Sequence, residues 1–397
     1  MTSIVVSETQ NGKTSCIQDL AISNLQENRS TFIVLRNITA DLLQFAKRWN
    51  DKYSVELNRY DTITEIPTIY ICLSNVQQLS NMFCVVNRIC HKFTIILDEA
   101  DLIYIDKTDC KQTTTLYDEI YKNNFLYYKY YITATPFLLF QHLPTLNCNN
   151  IIHIENKKNY TGFLNISKWY ILGNSLRRLT NLENFEYCIL KYEELFEYIL
   201  KKNNHQIILF NCTSLIIAQE IIGKRFRKNF NVNVIIDHGE HTVVYSSCLN
   251  FKTIPFHCEE TELGYKYLFR KVSLKYILKI FKENFSETKI VIVSGIKAGR
   301  GQSYKTEDTN EWHLTDLVYL PPKVQSCETL IQACGRITGI YNNLDQKLNI
   351  WTSRNAKDSI IDYIHYQRNI LGYSKNNPYE TIQSAINNYS YAGKTKI

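Results

Sequence analysis

The residue types best suited to chemistry come first along the chain, in Ser7-Glu8-Thr9-Gln10-Asn11-Gly12-Lys13-Thr14-Ser15. A glycine, an ammonium and a hydroxyl in succession suit a polyphosphate. Backbone N–H groups of Thr9, Gln10, Asn11, Gly12 and Ser15 would line a cradle, with the positive end of a following helix beneath it. Lys13 would reach the outer phosphates, and the Thr14 hydroxyl would sit on Mg²⁺. Ser7 stands where such loops usually carry their first glycine. Taken alone, the stretch also reads as a polar turn that opens an ordinary helix.

Three later clusters supply partners for such a loop. Asp98-Glu99-Ala100-Asp101 follows an apolar run. Asp98 could hold the metal together with Thr14, and Glu99 could take a proton from an attacking water. Thr133-Ala134-Thr135-Pro136 offers two hydroxyls after another apolar run. Far downstream, Gln332-Ala333-Cys334-Gly335-Arg336 offers an amide and a guanidinium, the latter suited to charge that develops on a transferring phosphoryl group. Each cluster alone also reads as a solvated turn. Asp237-His238-Gly239-Glu240-His241 with Cys248, His257 and Cys258 holds metal-ligating types, but their spacing fits no zinc pattern, and the stretch reads as a surface loop.

The elements that must position these clusters are legible as short apolar runs. Ile4-Val5-Val6, residues 31–36, 68–74, 93–97 and 130–132 read as buried strands, separated by stretches of helical periodicity. Strands of this kind, alternating with helices, indicate a mostly parallel sheet with helices on both faces. The clusters of the first half fall at strand carboxyl ends, where such sheets bind ligands. A second series, at 206–210, 232–236, 289–293, 316–320 and 347–351, indicates a second α/β domain. The expected organisation is a first domain over 1–145, a connecting segment over 146–205, a second domain over 206–355 and a polar tail over 356–397. Within these, 184–202 is expected to be helical, and the tail to hold a helix near Ile360 to Ile370.

In this order the clusters resemble motifs I, II, III and VI of the superfamily-two, DEAD-like helicases, and Ser294-Gly295-Ile296-Lys297-Ala298-Gly299-Arg300-Gly301 resembles their motif V. The resemblance implies two tandem RecA-like domains that close on ATP and Mg²⁺, with single-stranded DNA or RNA as partner. It implies roles residue by residue. Lys13, Thr14 and Asp98 bind Mg–ATP, and Glu99 activates water. Gln332 contacts the outer phosphate or the water, Arg336 serves as the arginine finger, and Gly299 and Arg300 line the nucleotide site. The Thr133 and Thr135 hydroxyls bond the acidic motif and neighbouring loops and couple nucleotide state to nucleic acid. Arg36, Ser74, Asn211 and Ser294 meet the sugar-phosphate backbone or couple to it. Two departures stand out. Gly339 replaces the last arginine of the Gln-x-x-Gly-Arg-x-x-Arg pattern. Only Met1-Thr2-Ser3 precedes the first strand, which leaves no segment of the kind by which the family reads adenine.

Composition bounds the rest. The chain has 397 residues, 45% hydrophobic and 21% charged, which suits two packed domains rather than disorder. A net charge of +7 is compatible with a polyanionic partner. The 28 tyrosines reflect an Asn-, Ile-, Lys- and Tyr-rich bias of the sort AT-rich genomes produce. Twelve cysteines without a Cys-x-x-Cys pair or a signal peptide read as reduced thiols of an intracellular protein. No apolar run reaches membrane-spanning length. A monomer is expected. Codon bias and the minimal two-domain core resemble helicase-like proteins of large DNA viruses, which would place the chain in host cytoplasm or virion. Two alternatives to unwinding remain open: a nucleic-acid-dependent ATPase that translocates or remodels, and a binding module that kept the fold without catalysis.

Overall fold

A computed structural model describes the chain apart from residues 102–109, 239–240, 251–256, 271, 296–303, 307–311, 324, 342–346 and 390–397, and apart from the side chains of Ala40, Cys110, Lys111 and His238. Its chain forms two compact units. One takes residues 1–156 and returns for the stretch that begins at His365, and the other takes Lys157–Ile364.

The first unit is built on seven strands: β1 (Thr2–Val6), β2 (Ser30–Leu35), β3 (Leu57–Arg59), β4 (Ile69–Leu73), β5 (Phe93–Asp98), β6 (Leu126–Thr133) and β7 (Ile151–His153). They lie in the order β3-β4-β2-β5-β6-β1-β7, and every pairing is parallel. Alternate side chains feed two separate cores. Ile4, Val6, Phe32, Val34, Tyr70 and Cys72 face one, while Val5, Ile33, Leu35 and Ile71 face the other. A sheet buried on both faces needs strands apolar at every position, which is why these runs show no polar alternation. Helices α1 (Lys13–Gln26) and α2 (Thr39–Asn50) cover one face through Ile17, Ala21, Phe45 and Trp49. Helices α3 (Val76–Val86), α4 (Cys110–Tyr121) and α5 (Phe137–His142) cover the other through Leu79, Met82, Tyr117, Ile120, Leu139 and Phe140.

The second unit holds β8 (Tyr160–Thr161), β9 (Lys168–Ile171), β10 (Gln206–Asn211), β11 (Asn233–His238), β12 (His241–Ser246), β13 (His257–Thr261), β14 (Gly264–Arg270), β15 (Lys289–Ser294), β16 (Asp316–Tyr319), β17 (Gly339–Ile340) and β18 (Asn349–Thr352). Nine of them form one sheet in the order β13-β14-β12-β11-β15-β10-β16-β18-β9, and β17 pairs with β8. The run from β11 to β9 is parallel, whereas β12, β14 and β13 add an antiparallel meander. The stretch read as a surface loop around His238, His241 and His257 is therefore mostly strand: β11 ends at His238, β12 begins at His241 and β13 at His257. The register puts the nearly unbroken apolar stretch Thr242-Val243-Val244-Tyr245 against Ile235 and Ile236, so burial outweighs the polar flanks. Helices α6 (Phe185–Leu200), α7 (Ile216–Phe230), α8 (Leu274–Asn284) and α9 (Cys327–Cys334) pack around this sheet, with Phe196 stacked on Phe226 at 4.2 Å between ring centroids.

Residues 146–205, read in the sequence as a connection, divide between the two sheets: β7 extends the first, and β9 borders the second. The C-terminal stretch is also structural. Helix α10 (Arg354–Asn376) begins in the second unit, and its residues from His365 on belong to the first. There Tyr366, Ile370 and Leu371 join the core, as do Ile382 and Ala385 of α11 (Ile382–Asn388).

Candidate functional site

In the first unit the site lies at the carboxyl ends of β5, β6 and β1, three adjacent parallel strands. The loop Ser7–Gly12 leaves β1 and enters α1. Gln10 (φ 59°) and Gly12 (φ 93°) turn it through the left-handed region. At Gly12 the absence of a Cβ removes the penalty of that turn. Gly12 also occupies the N-cap of α1 without a capping side chain, and the first turn holds no acidic residue. The leading N–H groups of α1 and its positive dipole end are thus left for an anion.

Lys13, the first residue of α1, extends its Nζ to Glu99 Oε1 at 2.7 Å, and both side chains are largely buried. Burial alone would push the ammonium's pKa down; Glu99, then Asp98, then Asp101 outweigh it and hold the pKa above the usual lysine value. Asp98 ends β5, and its Oδ1 accepts the Glu99 N–H at 3.0 Å. Burial first, then Glu99 and Asp41, push its carboxyl up to about 6 against the pull of Lys13. Glu99 is itself turned into the left-handed region, φ 52°. Asp101 is fully buried and accepts the Thr133 hydroxyl at 2.7 Å and the Thr135 hydroxyl at 3.0 Å, while the Thr135 N–H donates to Thr133 Oγ1. The turn after β5 is thereby tied to the turn after β6. Asp101 closes the Asp-Glu-Ala-Asp cluster, yet the sequence reading did not single it out. Its signal was the pair of hydroxyls in the Thr-Ala-Thr turn, which need an acceptor once buried.

The residues present fit Mg–ATP. Asp98, Glu99 and Asp101 all act electrostatically on the one ammonium of Lys13, an acidic setting that suits a divalent cation. Asp98 and the Thr14 hydroxyl are hard oxygen donors of the kind Mg²⁺ takes, with phosphate and water completing its shell. Among the described residues no three His, Cys, Asp or Glu side chains form an all-protein metal cage. Thr14 Oγ1 accepts a long 3.4 Å contact from Arg48, a cation on α2 that sequence reasoning did not single out. Ser15 Oγ lies 3.5 Å from Asp19 and from Lys52. Thr9 and Asn11 are buried within the loop.

Other expected residues lie on the same edge but are engaged. Arg36 follows β2 with its guanidinium forked onto Asp41, 8% exposed. Burial works against its charge, but the Asp41 bonds and charge raise its pKa further. Ser74 Oγ shares a hydrogen bond with the Tyr117 hydroxyl at 3.0 Å, and its N–H donates to Leu35 O.

In the second unit, Asn211 ends β10 and Ser294 ends β15, again at the carboxyl edge. Ser294 Oγ donates to the Asp237 carbonyl at 3.0 Å. Asn211 Oδ1 accepts from Arg178 Nη1 at 3.0 Å, and the same nitrogen donates to Leu320 O at 3.1 Å. Arg178 lies in a stretch without periodicity, so nothing in the sequence marked it. Gln332 is buried on α9, which Ser326 caps by accepting the Thr329 N–H, and Arg336 follows that helix, 8% exposed. Gly339 has φ 149° and pairs with Thr161 across β17 and β8. Gly299 and Arg300 lie outside the described residues.

The fold is that of tandem RecA-like domains: a parallel seven-stranded sheet and a second, mostly parallel sheet, with helices on both faces. Two solved structures similar to this chain are the Escherichia coli DEAH/RHA helicase HrpB and Xpd4 of S. tokodaii. HrpB is 10% identical with a TM-score of 0.51, over 90% of this chain and 41% of its own. Xpd4 is 9% identical with a TM-score of 0.51, over 91% of this chain and 94% of its own. At such identity the likeness is one of fold. No protein-family model matches the sequence, and no curated protein matches it. Among the described residues no helix is long and apolar enough to cross a membrane.

Proposed function

We propose that this chain is an ATP-dependent nucleic-acid helicase or translocase that acts on single-stranded DNA or RNA. The observation that carries the reading is the Lys13–Glu99 pair at 2.7 Å, set on an uncapped helix N-terminus beside Asp98. Mg–ATP supplies the phosphoanhydride bond and the metal's charge on the phosphate oxygens. Lys13 exchanges Glu99 for an outer phosphate, which frees Glu99 Oε1 to take the proton of the attacking water. Asp98 and Thr14 would hold the metal. The Asp101 bonds to Thr133 and Thr135 transmit any shift of the acidic turn to the turn after β6. The resemblance gives Arg336 the part of arginine finger and Gln332 a contact to the outer phosphate or the water. Backbone phosphates dominate nucleic-acid binding, so it weakens steeply with salt.

The test measures ATP hydrolysis with single-stranded DNA and RNA in parallel, for the native chain and for Lys13→Ala and Glu99→Gln. Stimulated hydrolysis in the native chain, lost in both variants, is the expected result. Stimulation that survives Lys13→Ala overturns the reading. A second reading, an ATPase that translocates or remodels without unwinding, is favoured by Gly339, whose backbone conformation suits no side chain at the position of the usual last arginine. A strand-displacement assay run beside hydrolysis separates the two.

A further inference from the structure

We propose that Arg368 and Asn156 are positioning residues that brace the phosphate loop through Glu8 and neutralise a carboxylate that would otherwise repel the nucleotide's phosphates. The inference rests on the reading of Ser7–Gly12 as that loop. Glu8 is its second residue, and its side chain is 8% exposed. One carboxylate oxygen, Oε1, accepts from Asn156 Nδ2 at 3.1 Å and from Arg368 Nη2 at 3.1 Å. The Asn156 amide oxygen in turn accepts from Asn11 Nδ2 at 2.8 Å, and the Asn11 N–H returns to the Glu8 carbonyl at 3.3 Å. Asn11 is fully buried, while Asn156 and Arg368 are exposed, so water is excluded from the loop side of this network and reaches its outer side.

The two braces come from distant chain segments that are themselves fixed. Asn156 follows β7, which pairs with β1 from Ile4↔Ile151 to Val6↔His153, and the Ile154 N–H donates to Val6 O at 2.9 Å. Arg368 rides on α10, held by Tyr366, Ile370 and Leu371 in the core of the first unit. A loop with Ser7 in place of a glycine, and with a carboxylate as its second residue, is poorly suited on its own to hold a polyanion. Arg368 corrects the charge, and Asn156 corrects the shape. Because Glu8 is buried and Arg368 is 46% exposed, loss of the arginine strands a carboxylate in a site with little water to solvate it.

The experiment uses the full chain with Arg368→Ala, Arg368→Lys, Asn156→Ala and the double variant Glu8→Gln/Arg368→Ala. Two readouts are taken: amide hydrogen exchange over residues 8–12 without nucleotide, and the dissociation constant for Mg–ADP by titration calorimetry. Arg368→Ala is expected to weaken Mg–ADP about tenfold and to speed exchange in the loop. Arg368→Lys is expected to recover part of the affinity, and Glu8→Gln/Arg368→Ala most of it, because the stranded charge is gone. Asn156→Ala is expected to speed exchange with a smaller loss of affinity. Unchanged exchange in both Arg368→Ala and Asn156→Ala overturns the brace, and failure of Glu8→Gln to restore affinity overturns its electrostatic part. A native chain that binds no Mg–ADP sinks the functional reading above, while the exchange measurement still decides whether the loop is braced.

Discussion

Lys13 Nζ stands 2.7 Å from Glu99 Oε1, so the cation that would grip a phosphate and the base that would activate water neutralise each other when no nucleotide is bound. Under the proposed function the pair would work as a latch, since hydrolysis would need the lysine to leave. Glu99→Gln keeps an acceptor for Lys13 and relieves the crowding with Asp98 and Asp101, so it is expected to raise or preserve thermal stability. It removes the proton acceptor, and kcat is expected to fall by about 10²–10⁴. Lys13→Ala leaves three carboxylates without their ammonium, and it should lower the melting temperature as well as nucleotide affinity. Calorimetric melting beside a nucleotide titration checks both, and equal melting temperatures for the two variants would contradict the latch.

Gly339 bears on how many arginines the motif after α9 offers. Its φ of 149° is one that side-chain-bearing residues rarely adopt, and it sits buried in the β17–β8 pair. Restoring the family pattern with Gly339→Arg is therefore expected to destabilise the second unit by roughly 1–3 kcal/mol rather than to raise turnover. Urea unfolding and a hydrolysis assay on the same preparation decide it. A stable variant with faster hydrolysis would show that the glycine is not required by the backbone.

What the sequence disclosed followed from local physics. Strands buried on both faces write themselves as unbroken apolar runs, so Ile4-Val5-Val6 and Phe93-Thr94-Ile95-Ile96-Leu97 were legible, and with them the edge on which Lys13, Asp98 and Thr133 meet. The resemblance expected the Thr133 and Thr135 hydroxyls on the acidic motif without naming Asp101, whereas the Glu8–Asn156–Arg368 brace was not legible, because it pairs polar residues across long sequence separation with no periodicity. The C-terminal stretch looked like a polar tail because α10 spaces its buried residues, among them Ile360, Tyr363, Tyr366 and Ile370, between exposed polar ones such as Asn355, Asp358 and Asn369. The antiparallel meander was hidden for a different reason. The histidines around β12 suggested a surface loop, while the pairing partner of Val243 and Val244, β14, lies well downstream of them in the sequence.

A buried histidine sets an acid limit on the second unit. His313 is 1% exposed, stacked on Tyr341 at 3.8 Å, with Nδ1 donating to Leu314 O. Burial above all lowers its pKa to about 4. The unfolded chain's histidine takes up its proton near its ordinary value of about 6.5. Between those two values the unfolded state binds the extra proton, so stability is full above about pH 6.5 and falls as the pH drops towards about 4. His313→Phe keeps the ring on Tyr341 and cannot titrate. Denaturant midpoints measured from pH 7.5 to 4.5 are expected to fall less steeply in the variant; parallel curves would show that another group governs the acid loss.

Arg178 gives the proposed nucleic-acid contact its sharpest test in the second unit. Its Nη1 is pinned by Asn211 Oδ1 and Leu320 O at the carboxyl ends of β10 and β16, and its other guanidinium nitrogens find no acceptor among the described residues. A half-buried guanidinium held by one nitrogen, with the rest of its fork unused, is preorganised for a phosphate at little entropic cost. Asn211, expected from the resemblance as a contact, would then act by holding Arg178. Each phosphate contact on a single strand contributes about 0.7 to the slope of log K against log salt. Arg178→Ala is therefore expected to weaken binding of an oligothymidylate and of an oligouridylate alike, and to make the salt slope shallower by about 0.7. Asn211→Ala should weaken binding with a smaller change of slope, because the charge remains. If Arg178→Ala lowers affinity at every salt concentration by the same factor, the arginine supports the fold of that edge instead of meeting a phosphate.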